Sequence, residues 1–257
     1  MELVTFRHDG VVRHGRLIED GTVVLPLGNG DLTALLSGRN EATAAGPAFP
    51  LLDVDLLAPL LRPGKLLSVA PNHGDTSDGA PPRLFLKPPT CVAGPGADIA
   101  VPVGKQVTAT TTLAVVIGTI TRDVPVANAL AAVGGYMTAG ELTTRTTEHD
   151  DFVDSMTATW FDGSTPMGPW LVTPDEAFDP QALDLTFDID GTRRQDGSTK
   201  DMVHPVAELV SYASTLMTLE PGDVLMTGSP TATPVAAGTE VSMTIAGLGT
   251  LVNRLVG

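Results

Sequence analysis

The chain has a single cysteine, Cys91, in 257 residues. That excludes an internal disulfide and any paired-cysteine metal or redox site. Basic residues are also scarce, 15 against 30 acidic ones, for a net charge of −15. A phosphate backbone is recognised through a basic surface, so nucleic acid is excluded as a partner. Long apolar runs are missing too. The longest, such as Leu56 to Leu61 around Pro59, fall far short of the roughly 20 residues needed to cross a bilayer. The opening MELVTFRHDG has no apolar core of the kind a secretory signal carries. The expectation is a soluble, cytoplasmic protein with no membrane partner. No GxGxxG, P-loop, HExxH or GxSxG stretch occurs, so dinucleotide, nucleotide, zinc-protease and serine-hydrolase chemistries lose their usual signatures.

Turn residues are plentiful. With 27 Gly, 21 Pro and only 4% aromatics, the chain reads as short strands separated by turns. Residues 1–62 form a small β-rich unit and a linker. LVTFRHDG, VVRHGRLIED and GTVVLPLGNG are strand-like pieces with Asp-Gly and Asn-Gly turns. DLTALLSG follows as a short helix with Asp31 as its N-cap. Residues 63–257 form the larger unit. KLLSVAPN, RLFLKPP and TTTLAVVIG read as strands, and DVPVANALAAVGGYM as a helix ending at Gly134-Gly135. HPVAELVSYASTLMTLEPGDV is the clearest helix: Pro205 opens it, and Val206, Leu209, Val210, Ala213 and Leu216 share one stripe. Three further strands close the chain. Without regular βαβα alternation, the fold class is α+β with much β-structure.

The threonines before the LAVVIG strand pose the functional question. Alternate strand residues face one way, so Thr108, Thr110 and Thr112 present three hydroxyls on one face. A catalytic surface would more commonly hold charge there.

Several ordered segments resemble the fumarylacetoacetate hydrolase superfamily: KLLSVAPNHGD, LFLKPPT, LAVVIG, FDGSTPMGPWLVT, RQDGSTKDM, VAELVSYASTLMTLEPGDVLMTGSP and GLGTLVNRLV. The resemblance covers residues 65 to 257, and the N-terminal unit also looks like that family's leading domain. It implies a rolled mixed β-sheet, a homodimer and a small-molecule substrate. Family members cleave, decarboxylate, hydrate or isomerise oxo acids and β-diketones by stabilising an enolate. A Mg²⁺ or Mn²⁺ held by three carboxylates does this by chelating two substrate oxygens.

In this register the two Glu-x-Glu positions hold Thr110 and Thr112, and the third ligand position holds Glu141. Hard dications want charged oxygen ligands, so a dedicated metal site is not expected and no cofactor is assigned. The family's catalytic His and Glu positions hold Thr76 and Gly79, and a lysine near the metal is replaced by Thr159. Positions that keep their family character are Lys87, Asn72, Gln195, Thr227 and Gly228. Arg145 resembles an arginine near the third ligand, able to hold Glu141 or a substrate carboxylate. Candidate catalytic groups are Lys87, Glu141, His73 and His149. Candidate substrate contacts are Asn72, Thr110, Thr112, Arg145, Gln195, Thr227 and Gly228.

Three functions stand open on the sequence. One is a metal-independent enzyme on an enolisable oxo acid or 1,3-dicarbonyl, performing isomerisation, cyclisation or C–C cleavage, in a specialised or secondary-metabolic pathway. Another is a binding protein without chemistry. The third is a metal-dependent hydrolase or decarboxylase whose site is rebuilt from Glu141, Asp75 and Asp162.

Overall fold

A computed structural model describes residues 1–28, 32–38, 43–74, 79–145, 156–174 and 178–257. Asp31, Asp75, Thr76 and His149 lie outside the described residues, as does the side chain of Arg145.

The two longest strands, Gln106–Ile117 and Val133–Arg145, pair antiparallel along almost their whole length. From Val107 to Ile117 every residue of the first is buried, because sheet and helix cover both faces. This is why its apolar half reads as a continuous β-branched run rather than an alternating one. Around this pair the described residues form a mixed sheet of thirteen strands and a second sheet of five. The strand Val224–Met226 runs antiparallel to Gln106–Ile117 and parallel to Leu66–Val69, which pairs in turn with Leu84–Lys87.

The second sheet carries Asp98–Ala100, Asp184–Ile189, Thr192–Ser198, Glu240–Ile245 and Gly249–Val256. Its apolar residues Phe187, Val241, Met243 and Leu251 form a core with Val107, Ala109 and Leu142 of the long strands. The sheets thus pack face to face, and Gln195 is carried over the threonine end of the Gln106–Ile117 strand.

The N-terminal strands join the larger sheet. Glu2–His8 pairs antiparallel with Thr165–Val172, with Leu3 opposite Leu171. Val11–Ile18 and Val23–Pro26 continue outward from it. The family-like α+β, mostly-sheet architecture is as expected, and no described helix is long and apolar enough to cross a membrane.

Two local expectations are corrected. The helix expected across DVPVANALAAVGGYM is short: Val126–Ala129 is α-helical, one 3₁₀ turn follows at Leu130–Ala132, and Val133 begins the long strand. Gly134 belongs to that strand because it lies against Gly118. A Cβ on Gly134 would come within 2.9 Å of the Gly118 Cα. The Gly-Gly pair therefore permits close backbone approach rather than ending a helix. The helix Val206–Leu216 buries Val206, Leu209, Val210 and Ala213 as expected, but Leu216, its last residue, is exposed. At the open end of the helix the stripe has nothing left to pack against.

Candidate active site

The strand registers bring most of the sequence-predicted residues to one place. Thr110 stands directly opposite Glu141 in the antiparallel pair, so these two side chains share a face at the short cross-strand spacing. Thr112, two residues on, shares that face. Ser68 and Lys87 come from the neighbouring Leu66–Val69 and Leu84–Lys87 strands and reach the same carboxylate.

Glu141 is the centre of the cluster. Its Oε1 accepts a hydrogen bond from Ser68 Oγ at 2.9 Å and lies 3.5 Å from Lys87 Nζ. The Lys87 side chain is fully buried and Glu141 nearly so. An isolated charge would be costly here, so each needs the other. Burial pushes the Lys87 pKa below its ordinary value, and the Glu141 charge only partly offsets this. Among the described residues Glu141 Oε2 has no hydrogen-bond partner, and Glu141 lines a cavity of about 380 Å³. Ala70, Pro71, Arg83, Phe85, Met156 and Thr159 complete most of the wall.

The threonines hold neighbouring parts of the site. Thr110 Oγ1 donates to Gln195 Oε1 at 2.8 Å. Thr112 Oγ1 donates to the Gly228 carbonyl at 2.9 Å. Gln195 is buried, and among the described residues its Nε2 has no hydrogen-bond partner. A buried amide donor left unsatisfied is costly, so its presence calls for a ligand.

The Asn72 and Thr227 side of the site is differently occupied. Asn72 Nδ2 donates to the Thr227 and His204 carbonyls, and its Oδ1 accepts the His204 N–H. Thr227 spends both its N–H and its hydroxyl on the Leu113 carbonyl. These expected substrate contacts therefore fix the loop that carries them, because their donors are consumed by main chain. Gly228 adopts φ +86, and a Cβ there would come within 2.8 Å of the Val69 carbonyl. Only glycine allows this close crossing.

His73 lies beside Gly228, on the Asn72 side and away from the cavity wall. Its ring is buried, and among the described residues neither nitrogen makes a well-formed hydrogen bond. Burial pushes its pKa down, partly countered by Asp201, so it is neutral near pH 7. Thr159 spends its hydroxyl on the Met156 carbonyl. Asp162 is exposed. Among the described residues no group of three or more His, Cys, Asp or Glu side chains converges as a metal site would require.

Two contributors were not singled out from the sequence. Ser68 has only its place in a buried β-strand as a signal, and Arg83 only its position four residues before Lys87.

Comparison with known proteins identifies the family. Residues 66–256 match the family described as "Fumarylacetoacetate (FAA) hydrolase C-terminal". The protein Rv2993c of Mycobacterium tuberculosis is 37% identical over 222 residues, covering 83% of both chains. The crystal structure of 5-carboxymethyl-2-hydroxymuconate delta-isomerase from Mycobacterium smegmatis superposes with a TM-score of 0.89 at 33% identity, covering 100% of this chain and 99% of that one. Maleylpyruvate hydrolase from Sphingobium sp. SYK-6, solved with manganese (II) ion and pyruvate, gives a TM-score of 0.81 at 25% identity over 100% of this chain and 99% of that one. The extent of these matches places the chain in the fumarylacetoacetate hydrolase family.

Proposed function

We propose that the chain is an enzyme that removes and returns a proton next to a carbonyl in an oxo acid or 1,3-dicarbonyl, without a tightly held metal. The observation that carries this reading is the buried Lys87–Glu141 couple at the cavity. Glu141 takes the proton from the carbon, the C–H electron pair becomes the enolate C=C bond, and the carbonyl π pair moves onto oxygen. The Lys87 ammonium and the Gln195 amide stabilise the resulting enolate. Return of the proton to a different carbon gives isomerisation. Attack of the enolate carbon on a second carbonyl of the same molecule, whose π pair becomes an alkoxide that takes the proton held by Glu141, gives cyclisation. The reverse, in which the alkoxide re-forms its carbonyl as the C–C bond breaks to an enolate, gives cleavage.

The family's Mg²⁺ or Mn²⁺ does not fit the donor set. One carboxylate remains of three, and an ammonium 3.5 Å from it occupies the electrostatic role of the cation. The other two positions are neutral hydroxyls whose protons are directed at Gln195 and Gly228. A dication needs charged oxygen donors that these cannot supply. Replacing glutamates by threonines makes sense in this light, since carboxylates crowded without a cation would repel.

Elemental analysis of purified protein should find well under one Mg²⁺, Mn²⁺ or Zn²⁺ per chain. α-Proton exchange of an accepted ketone in D₂O, followed by NMR, should survive EDTA. One metal per chain would overturn the metal-free reading, as would exchange abolished by EDTA and restored by Mg²⁺. The reading also includes a homodimer, by likeness to the family. Light scattering at micromolar concentration should give twice the 26.6 kDa chain mass, and a monomer would remove that part.

A further inference from the structure

Side chains alternate across a strand, so neighbouring threonines of Gln106–Ile117 face opposite ways. Thr111 faces the second sheet and donates to the Thr186 carbonyl at 2.8 Å. Thr110 faces the other side, opposite Glu141. Gln195 belongs to the second sheet, yet its side chain meets Thr110. The strand edge explains how. Gln106–Ile117 pairs with Thr233–Val235 at Val107 to Ala109 and with Val224–Met226 at Ala114 to Val116. Between these two pairings no described strand covers that edge, and there Gln195 reaches Thr110.

Thr110 has one hydroxyl proton and two acceptors near it. Gln195 Oε1 lies 2.8 Å from its Oγ1, and the Thr111 carbonyl 3.4 Å. The shorter separation is the usual one for a hydroxyl donating to a carbonyl oxygen, so the proton goes to Gln195. That fixes the amide. With Oε1 held, Nε2 is turned away from Thr110. Among the described residues it has no hydrogen-bond partner, although Gln195 is only 5% exposed. A carboxylate in place of Thr110 would accept only. It would take the amide N–H and turn Oε1 outward, where a developing oxyanion would be repelled. The hydroxyl thus leaves a buried N–H donor free on the Glu141 side of the strand, which charge at this position could not do.

Resting on the enolisation reading above, we propose that Thr110 is a positioning residue. It holds the Gln195 carboxamide by its oxygen and so presents Nε2 to the substrate oxygen on which the enolate charge develops. Thr110 touches no reacting atom and acts only through Gln195.

Neutron diffraction from deuterated wild-type crystals tests the orientation without any substrate. The Thr110 deuteron should lie on the line to Gln195 Oε1, with both Nε2 deuterons directed away from Thr110. A deuteron aimed at the Thr111 carbonyl, with Nε2 donating to Thr110, overturns the proposal.

The consequence for rate is read by NMR in D₂O, from exchange of the C3 protons of 2-oxobutanoate and the methyl protons of pentane-2,4-dione. Gln195→Met should lower the maximal rate by about 10² to 10³, the worth of an oxyanion-hole donor. Thr110→Val should lower it about tenfold or more and change the half-saturating concentration by less than about threefold, because the donor acts on charge that develops during the reaction. Thr110→Ser, which keeps the hydroxyl, should recover most of the loss. In the Gln195→Met background, Thr110→Val should cost less than about twofold, since its partner is already gone. A residue that merely supported the strand would cost the same in both backgrounds. Equal losses with and without Gln195, or Thr110→Val exchanging at the wild-type rate, overturn the proposal. A wild type that exchanges neither probe overturns enolisation and leaves the deuteron positions to decide what orients the amide. Exchange by a protein whose amide is held the other way would do the reverse.

Discussion

Lys87→Met should lower the maximal rate of α-proton exchange by roughly 10² or more, comparable with the loss of an oxyanion-hole donor. Methionine keeps most of the apolar stem and deletes only the ammonium that faces Glu141 at 3.5 Å. Ground-state affinity should change less, because the lysine acts on charge that develops during the reaction. The pH profile supplies an independent readout. Burial pushes the Lys87 pKa below the ordinary 10.5, so the wild-type rate should fall on an alkaline limb centred below that value. Lys87→Met should have no such limb. A folded Lys87→Met protein exchanging at the wild-type rate would remove Lys87 from the site.

Glu141→Gln should cost about 10² to 10⁴ in the same rate, the usual worth of a positioned acid–base group. The amide can still accept the Ser68 hydroxyl but cannot take a proton from carbon. The variant should also lose stability, because it leaves Lys87 buried without its counter-charge. The sign of the pH dependence follows from the lowered Lys87 pKa. Between that folded value and 10.5 the unfolded chain binds more protons than the native one, so stability rises with pH across this window. Below it the charged lysine penalises folding in full. Without Glu141 the lysine pKa falls further and the window widens toward neutral pH. Denaturant melts should therefore show the Glu141→Gln deficit shrinking as pH rises above neutral. A variant with wild-type exchange and a pH-independent melt would show that Glu141 neither moves the proton nor stabilises Lys87.

Metal content is independent of these two outcomes, because it does not depend on which group moves the proton. A protein that lost activity in both variants yet held one Mn²⁺ would keep its site and lose its mechanism.

Much of the protein was legible in its sequence because some signals are local. Apolar runs bounded by Gly and Pro located the Leu66–Val69, Leu84–Lys87 and Gln106–Ile117 strands. The spacing of Val206, Leu209, Val210 and Ala213 located the helix whose face they bury. The ordered segments from KLLSVAPN to GLGTLVNRLV carried the family, since buried strands and tight turns restrict which residues fit. Cross-strand pairing then puts Thr110 opposite Glu141.

Partnership was decided by the tertiary structure alone. A hydroxyl or carboxylate has the same local signature whether it meets a ligand or a neighbouring strand. Only long-range contacts give Glu141 to Ser68 and Lys87, 73 and 54 residues away, and Thr110 to Gln195, 85 residues away. Likewise, Asn72 and Thr227 resemble substrate contacts in sequence, and folding spends their donors on main-chain carbonyls. Gly134 shows the same limit in the backbone: a glycine that reads as a helix end is required by Gly118 lying against it across the sheet. The sequence carries the pattern of each element, while the charge, solvation and free valence of a side chain depend on what chain folding places within a few ångströms of it.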